Sequence, residues 1–325
     1  MQVVILRPRA SVSFMRPWWN AAILLAEFGC LVSSAQTFSG PESYGRVTAA
    51  AIDQASGLAT GIRNPQVLWT HNDQTEGKIY ALGTNAMLLG IYQLSCGVED
   101  IEDIAVSTLA GEESPKIYVG DLGNNYGGRE TVRVIRFAEP DVRADGFSAP
   151  IEETVTKLEV FTLRYPDGSY NSEPLLIDPF LGKLYILTKT GEDTRIYSAD
   201  IRVLQPGATN LLHFEGEIYF PWLTAGTVSR SGRFVALRSA GRAALWERRW
   251  NETLVDALRR ASVSIPVAGP PQEENGEGIT FSLSDDGYFT ISEGGQAPLY
   301  FFRRTDTPSL RWPHAPTIRQ IKTEF

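Results

Sequence analysis

Cysteine is almost missing from this chain: 325 residues hold two, Cys30 and Cys96. Residues 1–35 read as a removable leader, which leaves Cys96 alone and the mature chain without an internal disulfide. A secreted chain with no disulfide must be held by its apolar core, which suits a large domain and not a small stapled one. Histidine is equally scarce, and no motif couples one to Cys96, so Cys96 is expected to be a small buried hydrophobe. Zinc spacing, a Gly-x-Ser-x-Gly elbow, a Walker loop, a dinucleotide fingerprint and a haem motif are all lacking, which removes the enzyme classes that depend on them. Positive charge is in deficit. The formal net charge is −8, and losing Arg7, Arg9 and Arg16 against Glu27 takes the body to −10. An acidic body argues against nucleic acid or an anionic membrane as a main partner. Beyond the N-terminus no apolar run approaches the ~20 residues that cross a bilayer.

What is present at the N-terminus is the grammar of a signal peptide. Three arginines precede the apolar run Trp18 to Val32, and Ser33-Ser34-Ala35 suits cleavage before Gln36. The expectation is a leader over 1–35, one domain over 36–325, and a secreted protein, periplasmic if the source is Gram-negative.

Within that body one pattern recurs five times: a small or acidic residue, an apolar strand, a turn, a second apolar strand, and a polar residue. The openers are Ser56, Glu102, Glu173, Gly226 and Glu277, which lie 46, 71, 53 and 51 residues apart. That period is near the ~40 to 50 residues of a β-propeller blade. Third strands with aromatic-rich ends follow, such as Lys78 to Leu82 and Leu299 to Phe302, and outer fourth strands include Gly90 to Leu94 and Leu158 to Thr162. The fold class is therefore all-β, a propeller of four-stranded blades, with five units visible and six as the alternative if the long second interval hides one. Asp141 to Thr156 in that interval reads as irregular. Arg46 to Ile52 is the expected outer strand of the last blade, closing the ring by pairing the two chain ends. One helix is expected, Asn251 to Ser262, carrying the sequon Asn251-Glu252-Thr253, an N-glycan site in a eukaryotic source.

In an antiparallel hairpin the start of one strand lies beside the end of the next. Openers and the closing residues Asp73, Asp121, Lys189, Arg238 and Glu293 are thus expected at one mouth of the channel. Carboxylates crowded together raise one another's pKa and recruit a cation or a shared proton. Hard divalent cations take carboxylate oxygens, so Glu102, Asp103, Glu173 and Glu277 are the candidate ligands, with calcium the expected ion. Lys189 and Arg238, with Asn72 and Glu293, are the candidate contacts to a small anionic ligand. His71, Asp73 and Asp121 are the candidate catalytic groups, although a hydrogen-bonding turn histidine is the plainer view of His71. A structural ring of strand-end ion pairs explains the same residues without any ligand.

The strings LWTHND, EDIAV, YVGDLGNN, RYPDG with Glu173 nearby, and NGEGIT resemble those of a largely uncharacterised family of secreted β-propeller proteins best known from bacteria, over Ala55 to Phe302. More distantly the plan is similar to the calcium-dependent β-propeller phytases and the gluconolactonase-like propellers. That resemblance implies metal-binding carboxylates at one channel mouth; a metal there beside the cationic pair Lys189 and Arg238 is a workable site for a phosphoester or lactone hydrolase, the metal activating water or polarising the scissile group. Those relatives have six blades, and no catalytic residue is carried over from them. The rival class is a non-enzymatic extracellular module that binds protein or glycan.

Overall fold

Segments such as Val67-Leu68-Trp69 and Leu175-Leu176-Ile177 are apolar at successive positions, not alternate ones, so both faces of their strands need cover. Sheets packed face to face around an axis supply it. The computed structural model describes residues 37–73, 76–142 and 149–306, so the predicted leader and Cys30 lie outside it.

The chain begins with a closing strand, β1 (Glu42–Arg46), and then lays down blade one as β2 (Ala55–Thr60), β3 (Val67–Asn72), β4 (Lys78–Gly83) and β5 (Leu88–Leu94). Blade two takes β6 (Ile101–Ser107), β7 (Lys116–Asp121) and β8 (Val132–Ala138). The next strand, β9 (Ile151–Val155), leaves that blade to pair parallel with β5, and β10 (Leu158–Arg164) returns as the fourth strand. Blade three is β11 (Ser172–Asp178), β12 (Lys183–Thr188), β13 (Asp193–Asp200) and β15 (His213–Tyr219), with β14 (Thr209–Leu211) pairing parallel with β10 of the blade before. Blade four is β16 (Ala225–Val228), β17 (Phe234–Ser239), β18 (Arg242–Glu247) and β19 (Val263–Ile265). Blade five is β20 (Gly276–Phe281), β21 (Gly287–Ser292), β22 (Pro298–Arg303) and, from the other end of the chain, β1.

The ring has five blades, and the long second interval holds no sixth among the described residues. Part of what reads as irregular there is β9, which thickens the edge of blade one. The closing strand is Glu42–Arg46, not Arg46 to Ile52; Val47 and Ile52 are instead buried in the core between blades one and five. The helix is shorter at both ends than its periodicity suggests, α1 (Leu254–Leu258): Thr253 caps its start through a reciprocal pair with Asp256, and Arg259 is its C-cap. Asn251 is exposed in a left-handed turn just before it. Cys96 is free and half-buried. No helix among the described residues is long and apolar enough to cross a membrane.

Inner strands β2, β6, β11, β16 and β20 stand side by side around the axis, and each seam between blades carries a buried polar pin. Glu139 of blade two accepts from the backbone N–H groups of Ile62, Arg63 and Asn64, the Asn64 amide and the Trp69 indole of blade one. Asp103 of blade two accepts from Leu175 N–H of blade three at 2.9 Å. Asp178 of blade three pairs with Arg248 beyond β18 at 3.0 Å. Arg238 of blade four donates to the Gly278 carbonyl of blade five at 2.9 Å, and Thr60 of blade one to the Phe281 carbonyl at 2.7 Å. Glu139→Ala removes the acceptor of the buried Trp69 indole and of four partly buried donors at once and is expected to cost about 3 kcal/mol or more, at ~1 kcal/mol and upward per lost partner. Urea unfolding measures it; a loss below about 1 kcal/mol removes Glu139 from this role.

Candidate functional site

Four of the five inner strands carry a β-bulge at the same place. Register slips between Ala55 and Leu58 on β2, Ile101 and Asp103 on β6, Ser172 and Leu175 on β11, and Gly276 and Gly278 on β20. A bulge leaves one residue unpaired and re-aims its side chain. In blades two, three and five the bulged stretch holds the opener, Glu102, Glu173 or Glu277, and in blade one it holds Ser56, whose hydroxyl donates to the Glu102 carbonyl at 3.1 Å. Blade four has no bulge and contributes no acid there.

The same registers decide which closing residues emerge. Asp121 pairs with Ile101 and Arg238 with Ala225, so both still lie within the ladder and are fully buried. Asp73, Lys189 and Glu293 stand one residue beyond Asn72, Thr188 and Ser292, the last paired positions, and leave the sheet. A single residue of register separates the two outcomes.

Five sequence-predicted site residues direct their polar atoms to partners within the fold and not to the mouth. His71 is buried, with Nε2 accepting from Gly57 N–H at 3.0 Å and Nδ1 against the Asn72 carbonyl at 3.1 Å. Burial lowers its pKa to about 4 despite that second bond, so it stays neutral and both ring nitrogens are engaged. Asn72 holds the Ala51 carbonyl and Gln54 N–H. Asp121 pairs with Arg129 at 3.1 Å and Arg133 at 2.5 Å and accepts from Glu99 and Asp100 N–H. Arg238 points between blades four and five, paired with Glu273 at 3.3 Å, so the expected second anion clamp does not reach the mouth. Asp103 accepts from the backbone of Ile104, Leu175 and Gly226, and burial still raises its pKa well above the usual range.

Asp73, Glu102, Glu173, Lys189, Glu277 and Glu293 come together, along with Asp100, which the sequence reading passed over. Asp100 sits directly before β6, and the doubled acid Glu99-Asp100 ahead of Glu102-Asp103 is the signal that pointed to it. Carboxylate oxygens of Asp73, Asp100 and Glu102 lie within 4.8 Å of one another. Gly123, from the loop after β7, lies against them so closely that a Cβ there would overlap the carboxylates of Asp100 and Glu102. Asn124 and Asn125 of that loop turn away, to Ser169 and Asn171.

Crowding and burial make this cluster hold protons. Burial, then the hydrogen bond shared with Asp73, raises Asp100 to about 6. Burial, and after it the neighbouring Glu173 charge, push Glu102 well above its usual range. Burial raises Glu173 too, opposed by Lys189 at 2.8 Å. For Lys189 burial works downward and the Glu173 charge outweighs it, so it remains cationic. Burial and the Glu173 charge take Glu277 to about 8. Within this cluster two carboxylate oxygens, Glu102 Oε1 and Glu277 Oε2, are buried with no hydrogen-bond partner among the described residues.

No protein-family model matches the sequence, and no curated protein does. Among solved structures the chain is similar to a chain in the crystal structure of a nidogen/laminin complex, with 14% identity and a TM-score of 0.42, covering 74% of this chain and 72% of that one.

A carboxyl group whose pKa is higher folded than unfolded stabilises the fold when protonated, and that contribution is lost as pH rises through the folded value. Without added metal, the protein is expected to lose melting temperature as pH rises from about 4.5 to about 8, where Glu277 is ionised in the unfolded chain but still protonated in the folded one, and Glu277→Gln to flatten that decline. Melting curves across this range check it; an unchanged slope in Glu277→Gln places the buried charge elsewhere.

Proposed function

We propose that the acidic mouth binds a hard divalent cation, calcium, through Asp73, Asp100 and Glu102, and that the protein is a secreted ligand-binding propeller that uses this ion. The observation that carries the proposal is Glu102 Oε1, buried without a protein partner and aimed into a group of carboxylate oxygens lying within 4.8 Å of one another. A buried acceptor left unmade costs about 1–3 kcal/mol, more for a charge, and a cation removes that cost. Asp103, which the sequence put among the ligands, is left out because its oxygens are occupied by backbone N–H groups. Glu173 and Glu277 stand beside the ion as charge partners of Lys189, whose half-exposed ammonium offers the contact for a small anionic group on the ligand. Glu277, protonated up to about pH 8, favours a second reading in which it donates a proton to a leaving group and the site hydrolyses a small phosphoester or lactone.

Calorimetry with calcium on metal-stripped protein is expected to show one site, weakened at least tenfold by Glu102→Gln and abolished by Gly123→Ala. Affinity is expected to fall below pH 6, where Asp100 takes up its proton. No saturable binding to the unaltered chain rejects the cation site. Turnover of a generic phosphoester or lactone that stops on chelation and in Glu277→Gln selects the hydrolase; bound calcium without turnover selects the binding module.

A further inference from the structure

One aromatic residue at the acidic end of the ring is held in a conformation that its turn does not need. The segment Phe220 to Thr224 carries the chain from the outer strand β15 of blade three to the inner strand β16 of blade four, and so crosses the face on which β12 ends. It is fastened on both sides. Phe220 and Leu223 are buried in the core between blades three and four, the Arg242 guanidinium lies 4.4 Å from the centre of the Phe220 ring, and Thr224 N–H donates to the Arg238 carbonyl at 2.9 Å. Between them Trp222 turns out and is 64% exposed. Its φ is +56°, in the left-handed region that a bulky side chain rarely adopts and that glycine would occupy without strain. Trp222 N–H donates to the Thr190 carbonyl at 2.7 Å, and its indole lies against Gly191, where a Cβ would meet the ring at 2.9 Å. Thr190 and Gly191 directly follow Lys189. Indole and ammonium thus belong to one short turn, and the ammonium, paired among the described residues with Glu173 at 2.8 Å, keeps N–H donors to spare.

A strained backbone that holds an aromatic face in solvent points to a ligand for that face, since little of the ring is buried against the fold. We infer that Trp222 stacks on the ring of a pyranose that carries a carboxylate, with the carboxylate on Lys189 and the ring hydroxyls toward the cation. This deepens the reading of the acidic mouth and rests on it for the hydroxyl contacts alone. The C–H face of a sugar ring suits the negative face of an indole, and vicinal hydroxyls are oxygen ligands of the kind a hard cation takes beside carboxylates. A flat aromatic acid would stack as well but brings no such oxygens. Among anions, a singly charged carboxylate suits one ammonium set among acids better than a dianionic phosphate, which those acids repel more strongly.

Calorimetry and tryptophan emission with methyl glucuronide, methyl glucoside, benzoate and propionate, each in calcium and again in EDTA, test this on the full chain. Methyl glucuronide is expected to bind saturably at one site in calcium, at least tenfold more tightly than any of the other three, and to change the emission; in EDTA it binds more weakly. Trp222→Gly, which suits the left-handed turn, should keep the melting temperature, weaken the glucuronide at least tenfold and abolish the emission change. If Trp222→Gly does not fold, the ligand series and the emission change decide alone. Glucuronide binding that depends on Trp222 upholds the inference whether or not calcium itself binds. Absence of saturable glucuronide binding in both conditions, equal affinity for the glucoside or benzoate, or glucuronide affinity unchanged in Trp222→Gly overturns it, while the calcium isotherm alone decides the cation site.

Discussion

Close approach of five inner strands around one axis is the constraint on which the rest of this structure depends. At Gly57 a Cβ would sit 2.7 Å from Ile104 N, and at Gly278 one would sit 2.7 Å from the Ser56 carbonyl, so neighbouring blades meet there with backbone where side chains would stand. Strands packed this tightly leave little room for water, and any charge introduced among them must be paired or held neutral. Asp103, Asp178 and Arg238 are handled by pairing and hydrogen bonding across the seams. Glu102, Glu173 and Glu277 are handled differently: bulges push them out of the ladders toward a shared mouth, where a single lysine and shared protons offset only part of their charge. The same packing makes the seams strong and the mouth electrostatically unsatisfied.

The chemistry of the channel follows from how each inner strand is written. Along each inner strand the polar or small opener, Ser56, Glu102, Glu173, Gly226 or Glu277, is followed by an apolar residue, Leu58, Ile104, Leu175, Val228 or Ile279, so the acidic openers gather at one mouth and apolar side chains fill the middle of the channel wall. The acidic mouth depends on no particular loop for its basic character. Loops refine it: Gly123 brings backbone against Asp100 and Glu102, and the segment before β16 lays Trp222 against Gly191 beside Lys189.

Much of the ring was legible in the sequence because each hairpin repeats a local signal, two apolar runs and a turn such as Asp178-Pro179 or Ser231-Gly232. The closing strand β1 lies ahead of the run that reads as a strand, and β9 and β14, which were not legible, are short and mostly polar and pair parallel with the edge of the previous blade, a contact that no local pattern encodes. The convergence of Glu102, Glu173 and Glu277 followed from hairpin geometry alone. What hairpin geometry does not contain is register. Asp121 and Arg238 lie one residue too early to leave their strands, while Asp73, Lys189 and Glu293 lie one residue later and do, and bulges that shift pairing by a single position have no signature in composition. His71 illustrates the same limit: its neighbours Asn72 and Asp73 look functional in sequence, yet its ring is consumed by Gly57 N–H and the Asn72 carbonyl.

The most direct measurement of the central claim is anomalous diffraction from crystals grown with manganese in place of calcium. The account predicts a single strong peak at the acidic mouth, with metal–oxygen distances of about 2.0–2.6 Å to Asp73, Asp100 and Glu102. A map with no peak there, or one in which Glu102 keeps its oxygen turned to protein while the ion sits elsewhere, would contradict it.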